Sequence, residues 1–386
     1  MIRFLSGLSL FLLISGWIYF GTKRPFLSLE ESDLFLDRPS FRILVTHKGG
    51  IGEQEMAERI RLVGKTLNLE CANFSLHQPP LLKRLFPHYK ERFATLFHPD
   101  LVLSLQGDKI SYPHAKHYIA LTHGSNYYFT ANAILPAKNL NEFDGYLVCF
   151  PDQEKLFSQC NYLEKECFYM NWYTTCGRTN FNPPEQYKLF YCGFNMANTN
   201  FGTKYKQLFS RLDKTHYFNV YGQKNQWHHT PNCYRGFIEC DGNSLLKTMH
   251  NCGVTLILHA PDHFIGATPT ARIFEACAAS TVIISDRHPF IVKNFGDSVL
   301  YIDQDKSSDV LFQQIHNYMT WIQNNPKEAL ELAKKSHSIF LQKFTLEAQL
   351  EKLIELHKRV LSAQLPQGNK EILISGFSAN ISEPIF

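Results

Sequence analysis

The sequence predicts an α/β protein of two doubly wound domains, preceded by an N-terminal transmembrane helix. Three observations predict it. Apolar runs of strand length alternate with helical runs twice over, first across Phe41–Tyr173 and again from Lys188 onward. In each half the first strand runs into a glycine-bearing turn, His47-Lys-Gly-Gly-Ile-Gly in one and the polar Gly193–Gly202 loop in the other. Phe4–Gly21, FLSGLSLFLLISGWIYFG, is apolar and of about the length that crosses a bilayer.

A chain of 386 residues has room for two ordinary domains. With 44% hydrophobic and 19% charged residues it is globular rather than disordered. A formal charge of +4 suits phosphate ligands or an anionic membrane face, and no basic block marks a nucleic-acid partner. Ten cysteines fall at irregular spacings, with no C-x-x-C pair and no zinc spacing, which predicts reduced thiols in a cytosolic compartment. The alternative is an exported chain bridged at Cys71 and Cys149, or among Cys160, Cys167 and Cys176.

Residues 1–24 read as the membrane anchor. Arg3 precedes the apolar run, Lys23-Arg24 follow it, and Trp17 and Tyr19 suit the interfacial belt. That charge asymmetry predicts a single-pass membrane protein whose globular part is cytoplasmic; a cleaved export signal is the other reading. Residues 25–40 form a linker, and residues 41–180 the first domain. Phe41–Thr46 is a buried strand, and a helix starts near Glu53; Gly50 and Gly52 between them either keep the loop small enough for a ligand to approach or simply make a tight turn. A charged, proline-marked stretch, Gln78–Arg92, precedes the strands Leu101–Leu105 and Tyr118–Thr122. The second of these ends in His123, which puts an imidazole either at the cleft rim or in a solvated loop. Gly145–Phe150 is a further strand, Pro151-Asp152 opens a helix, and Phe168–Tyr173 closes the domain before the linker Cys176–Glu185.

The second domain, residues 187–345, restarts the pattern. Its strands are Lys188–Cys192, Tyr217–Gly222, Tyr234–Ile238, Val254–His259 and Thr281–Ser285. Pro261–Thr270 reads as a loop, and Thr270–Ala279 as a helix whose Ile273, Phe274, Cys277 and Ala278 repeat at helical spacing. Arg272 and Glu275 share a face of it, as a ligand-binding couple or simply as an ion pair three residues apart. Three helices follow, Val310–Trp321, Pro326–Phe340 and Thr345–Leu361, with Asp309, Asn325 and Thr345 as caps.

The run RIFEACAAS-TVIISD, followed by HPF and FGDSVLYID, resembles the C-terminal half of GT-B glycosyltransferases, whose donor site carries a helix of the form R-x-F-E-A-x-A-x-G. The resemblance implies two Rossmann-like domains facing a cleft, with residues 41–180 on the acceptor side and 187–345 holding a nucleotide sugar. Residues 346–386 would be a terminal helix and tail that pack back on the first domain. By the same resemblance Glu275 receives the ribose hydroxyls. His259, Gly266, Thr268 and Thr270 meet the donor sugar and diphosphate, and Gly193, Asn195 and Lys204 approach the diphosphate. Tyr221 and Gly222 match a Y-G strand ending, Phe237 and Ile238 lie by the nucleobase, and His123 contacts acceptor or donor sugar. Arg272, with Lys204, would offset charge on the departing diphosphate. The chain departs from the pattern at Ala267, where many retaining members have a glutamate, and at Ser280, where glycine is usual.

The predicted function is therefore transfer of a sugar from a nucleotide diphosphate sugar to a glycan or lipid-linked acceptor at the membrane. No cofactor is expected beyond that co-substrate, and no essential metal, since no Asp-x-Asp stands at a strand end. Two alternatives stay open: a non-catalytic nucleotide-sugar or sugar-binding protein, favoured by Ala267, and a nucleotide-sugar epimerase.

Overall fold

The structure is a computed structural model that describes residues 40–76, 88–105, 109–122, 140–150, 167–193 and 202–364. The expected anchor over 1–24 and the helix expected from Pro151 lie outside the described residues. Among the described residues no helix is long and apolar enough to cross a membrane.

The first half contains strands β1 (Phe41–His47), β2 (Leu69–Ser75), β3 (Leu101–Ser104), β4 (Lys116–Leu121), β5 (Gly145–Val148) and β6 (Tyr169–Asn171), with helices α1 (Ile51–Thr66) and α2 (Tyr89–Phe97). All six strands are parallel, in the order β2-β1-β3-β4-β5-β6. Strands β1, β3, β4 and β5 are short apolar runs buried on both faces, as a parallel sheet covered by helices requires. Strand β2, LECANFS, carries Glu70 and Asn73 and is only half buried, because it is the edge strand. That polarity hides it from an apolar-run search. Helix α2 is hidden likewise in the charged stretch before Leu101.

The second half contains β7 (Lys188–Cys192), α3 (Gly202–Leu212), β8 (Phe218–Tyr221), α4 (Ser244–Cys252), β9 (Gly253–Ile257), α5 (Pro261–Ile265), α6 (Arg272–Ala278), β10 (Val282–Asp286), α7 (Pro289–Phe295) and β11 (Leu300–Ile302). Helices α8 (Ser308–Asn324), α9 (Pro326–Lys343) and α10 (Leu346–Gln364) complete the described chain. The sheet is again parallel, in the order β11-β10-β9-β7-β8. One face is covered through Leu208, Phe209, Ile315 and Met319, the other through Ile273, Phe274 and Phe340.

Helix α10 belongs to the first half's core. Its Leu346, Leu350, Leu353 and Leu356 pack with Ile43, Val45, Met56 and Ile60, and the Tyr118 hydroxyl lies 2.9 Å from His357 Nδ1. The two crossings between halves are tied together. Thr175 donates its hydroxyl to Phe344 O at 2.7 Å, and Leu346 N donates to Cys176 O at 2.8 Å.

Three local expectations need correction. Tyr234–Ile238 is not a strand but a single bridge from Tyr234 to Val220, because Gly236 at φ +109° breaks the regular register while its carbonyl still accepts from Gly222 N. The segment after Pro261 opens with a short helix, proline at its first position being pre-set for a helix start rather than a breaker. Helix α8 is capped by Ser307, which accepts from Val310 N at 3.4 Å, and Asp309 already lies inside its first turn.

Candidate functional site

From β7 the chain moves out to β8 and then returns to the other side of β7 as β9. The carboxyl ends of β7 and β9 therefore flank the point where strand order reverses, the crevice in which open α/β sheets bind ligands. Cys192 ends β7 with Gly193 next, His259 lies two residues past β9, and Tyr221 ends β8 with Gly222 next. Gly222 N donates to Gly236 O at 3.0 Å, which carries the 236–238 strip alongside and leaves Phe237 50% exposed. Ile238 instead packs against the cluster of Phe190, Leu245, Met249, Cys252 and Ala279. Gly222 has φ +142°, and a Cβ there would stand 2.8 Å from Trp227 Nε1. Only glycine meets both demands.

Helix α6 starts at this crevice. The Arg272 Nε–H donates to Cys192 O at 2.9 Å, and its Nη1 is bonded to Glu275 Oε2, so the guanidinium bridges the end of β7 and its own helix. Its side chain stays 25% exposed. Glu275 is turned inward at 2% exposure, and its second oxygen lies 2.8 Å from Nη1 of Arg59, a residue of α1 in the opposite half. Arg59 in turn holds Glu55 through Nη2 at 2.8 Å. Glu55, Arg59, Glu275 and Arg272 thus form a chain of alternating charge summing to zero. Burial by itself would raise the Glu275 carboxyl, but Arg272 and Arg59 outweigh it and hold the group below its ordinary range. In this arrangement the carboxylate that the resemblance gives to the ribose is enclosed by two guanidiniums. Sequence reasoning found Arg272 and Glu275 and missed Arg59 and Glu55, whose i, i+4 spacing reads like any solvated pair on a helix.

His259 is also turned inward. It is 1% exposed; its Nδ1 is 2.7 Å from Asp286 Oδ1, and its Nε2 accepts the Thr270 N–H at 3.3 Å. Both ring nitrogens are used within the protein, so His259 shapes the loop that it was expected to carry to the donor. Thr268 is 2% exposed and equally withdrawn, and Thr270 and Gly266 are partly exposed. Ala267 adopts φ +46°, a left-handed turn just after α5. Gly193 is described, whereas His123, Asn195 and the Lys204 side chain lie outside the described residues.

The first sheet has its own reversal point, between β1 and β3. The glycine that the turn there requires is Gly49, at φ +94°; nothing lies within 4 Å of a Cβ at Gly52, and one at Gly50 would meet only Glu53, at 3.4 Å. The Glu53 carboxylate occupies the turn, accepting from Lys48 N at 2.8 Å. Burial raises its pKa against the opposing pull of the Lys48, Gly50 and Gly49 amides. The loop that was expected to stay small for an incoming ligand is thus closed over its own carboxylate. His47 ends β1 there at 6% exposure with Nδ1 unbonded, and burial lowers its pKa, which keeps the imidazole neutral. Sequence reasoning passed over it; its place directly before the glycine turn was the available signal.

Among the described residues no group of three or more His, Cys, Asp or Glu side chains is arranged to hold a metal ion. Cys71 and Cys176, candidates for bridging in an exported chain, are free thiols.

Residues 204–355 match the family described as glycosyl transferase-like. No curated protein matches the chain. Among solved structures, a glycosyltransferase from Rickettsia africae is 13% identical, with 84% of this chain and 99% of that one covered at a TM-score of 0.48. VinC, a glycosyltransferase solved with dTDP, is 11% identical over 83% and 100% of the two chains at a TM-score of 0.44. MurG of Acinetobacter baumannii is 12% identical over 82% and 99% at 0.38.

Proposed function

We propose that this chain, a glycosyltransferase of the GT-B kind, takes a sugar from a nucleoside diphosphate sugar held at the β7/β9 crevice and passes it to a glycan or lipid-linked acceptor. The observation that carries this reading is the family match over residues 204–355 falling on α6, whose Arg272 stands partly exposed at the reversal point of the second sheet.

The chemistry asks for little beyond placement and charge. An acceptor hydroxyl oxygen forms the new bond to the donor's anomeric carbon, the bond from that carbon to the diphosphate breaks, and the diphosphate leaves with the electron pair. The hydroxyl's proton passes to solvent water. Negative charge grows on the diphosphate, so a fixed guanidinium beside it stabilises the transition state more than the bound donor. Arg272 meets that need because Cys192 O and Glu275 hold it in place. The nucleobase would lie along Gly222 and Phe237, where backbone is close and a large apolar face is open. Glu275 would take the ribose, and the first sheet's reversal point near His47 would receive the acceptor. The apolar run Phe4–Gly21 would hold the protein at the membrane where a lipid-linked acceptor resides.

Incubation with a panel of nucleotide sugars tests the reading, with release of free nucleoside diphosphate measured with and without glycan or glycolipid acceptors. Acceptor-dependent release from one donor is expected. Binding of a nucleotide sugar with no release under any acceptor would indicate a binding protein, and a changed sugar configuration without acceptor would indicate an epimerase.

A further inference from the structure

The Glu55–Arg59 pair is the part of the buried charge cluster that the proposed reaction leaves unused. Both residues stand one turn apart on α1 and both reach into the second half. Arg59 Nη1 lies 2.8 Å from Glu275 Oε1, and Glu55 Oε2 accepts the Gly242 N–H at 3.1 Å. The approach is tight: Gly242 has φ +82°, and a Cβ on it would stand 2.8 Å from Leu62 Cδ1 and 3.5 Å from Arg59 Cγ. Arg59 also donates to Thr175 O, at 3.4 Å, in the crossing segment.

The two guanidiniums on Glu275 are not equivalent. Arg272 sits on the same helix as Glu275 and is tied to the end of β7, so that pair moves as one body. The Arg59 contact exists only while α1 and α6 stand this close. The four charges also divide along the same line, into Glu55–Arg59 on α1 and Arg272–Glu275 on α6, each pair neutral. Separation at the Arg59–Glu275 contact therefore leaves no single buried charge unpaired, the circumstance that makes breaking a buried ion pair so costly elsewhere.

We propose that Arg59 is a positioning residue that the ribose of the donor displaces. Arg59 holds Oε1 of Glu275, and the vicinal hydroxyls take that oxygen as α1 carries Glu55 and Arg59 away together. The inference rests on the reading of Glu275 as the ribose acceptor. Apparent nucleotide affinity is then lowered by the share of molecules in which Arg59 occupies the carboxylate.

The test compares binding of UDP, GDP or ADP, whichever the parent binds best, with binding of its 2′,3′-dideoxy form. The variant is Glu55→Gln with Arg59→Met, which removes one neutral pair and leaves Arg272–Glu275 whole. It should bind the ribonucleotide about five- to tenfold tighter and the dideoxy form as the parent does. Equal or weaker ribonucleotide binding overturns the displacement. Glu275→Gln separates the two ideas. If it weakens the ribonucleotide alone, the ribose reading stands and failure of the double variant counts against Arg59 only. If it weakens neither, both fall. Should the double variant not fold, hydrogen exchange in the parent decides. The Gly242 amide, which donates to Glu55, should lose protection with the ribonucleotide and not with the dideoxy form, and no change with either overturns the proposal.

Discussion

The Nδ1 of His259 lies 2.7 Å from Oδ1 of Asp286, with both side chains fully buried where β9 and β10 end. The other carboxylate oxygen accepts the His259 backbone N–H at 2.6 Å, and the ring's Nε2 accepts the Thr270 N–H at 3.3 Å. Those partners fix the tautomer, with the proton on Nδ1. His288 stacks on His259 at 4.1 Å and its Nε2 lies 3.0 Å from His263 O. Two imidazoles thus fasten the 260–270 segment at both ends, although Ile265 at its middle is 69% exposed. The segment proposed to face the donor is ordered by hydrogen bonds from below rather than by a core of its own.

Replacing Asp286 by Asn tests that fastening. The site asks the residue for two acceptor oxygens, and asparagine has one. Either a bond is lost or the ring moves its proton to Nε2, where it meets the Thr270 N–H head on. We expect a loss of about 1.5–3 kcal/mol in urea unfolding, the range for a hydrogen bond to a buried charged group, with faster amide exchange at Thr270. An unchanged Thr270 exchange rate would show that the loop does not depend on the dyad.

A pH dependence follows from His288. Burial and the neighbouring His259 lower its pKa to about 4, against the opposing effects of the His263 carbonyl and Asp286. The unfolded chain takes up that proton near pH 6.5, before the folded one does. The stability tied to the neutral ring is therefore complete above about pH 6.5 and lost as pH falls through about 4. His288→Gln keeps a donor for His263 O and cannot titrate. The gap between the urea midpoints of parent and variant should be constant above about pH 6.5 and shift against the parent as pH falls toward about 4. Parallel profiles would remove His288 as the titrating group.

Most of the frame was legible because a parallel sheet covered on both faces demands runs such as Phe41–His47 and Val282–Asp286, and no other local pattern explains them. Strand β2 escaped because an edge position tolerates Glu70 and Asn73. At the site, the R-x-F-E pattern singled out Arg272 and Glu275, yet it could not say which way their side chains turn. Local spacing fixes neighbours on a helix; it carries no information about Arg59, 216 positions before Glu275. The inward turn of His259 was hidden for the same reason, since Asp286 lies 27 residues away.

Gly222→Ala addresses the floor of the crevice. The backbone there has φ +142°, and the added methyl would stand 2.8 Å from Trp227 Nε1. Strain of this kind costs about 1–3 kcal/mol. The expected outcome is a lowered thermal midpoint together with changed fluorescence of Trp227, which is 1% exposed in the parent. A midpoint within experimental scatter of the parent's would mean that the turn relaxes at little cost.

The last prediction separates the chemical role of Arg272 from its structural one. Its guanidinium makes three anchoring bonds, Nε to Cys192 O at 2.9 Å, Nη2 to Cys192 Sγ at 3.8 Å and Nη1 to Glu275, and its side chain remains 25% exposed. Lysine retains the charge but offers a single ammonium, which cannot reach the carbonyl, the carboxylate and a diphosphate together. If Arg272 stabilises charge that appears only as the diphosphate departs, Arg272→Lys should lower kcat and kcat/KM alike, by about ten- to a hundredfold, or about 1.4–2.7 kcal/mol of transition-state stabilisation. KM for the donor should move much less. Donors with a better leaving group should lose less, because they develop less charge at the point the guanidinium serves. If Arg272 serves only to pair Glu275, the variant should instead show a lower unfolding midpoint with kcat per folded molecule unchanged, and the loss should not depend on the leaving group. A fall in KM-limited rate alone, with kcat intact for every donor, would remove Arg272 from the transition state.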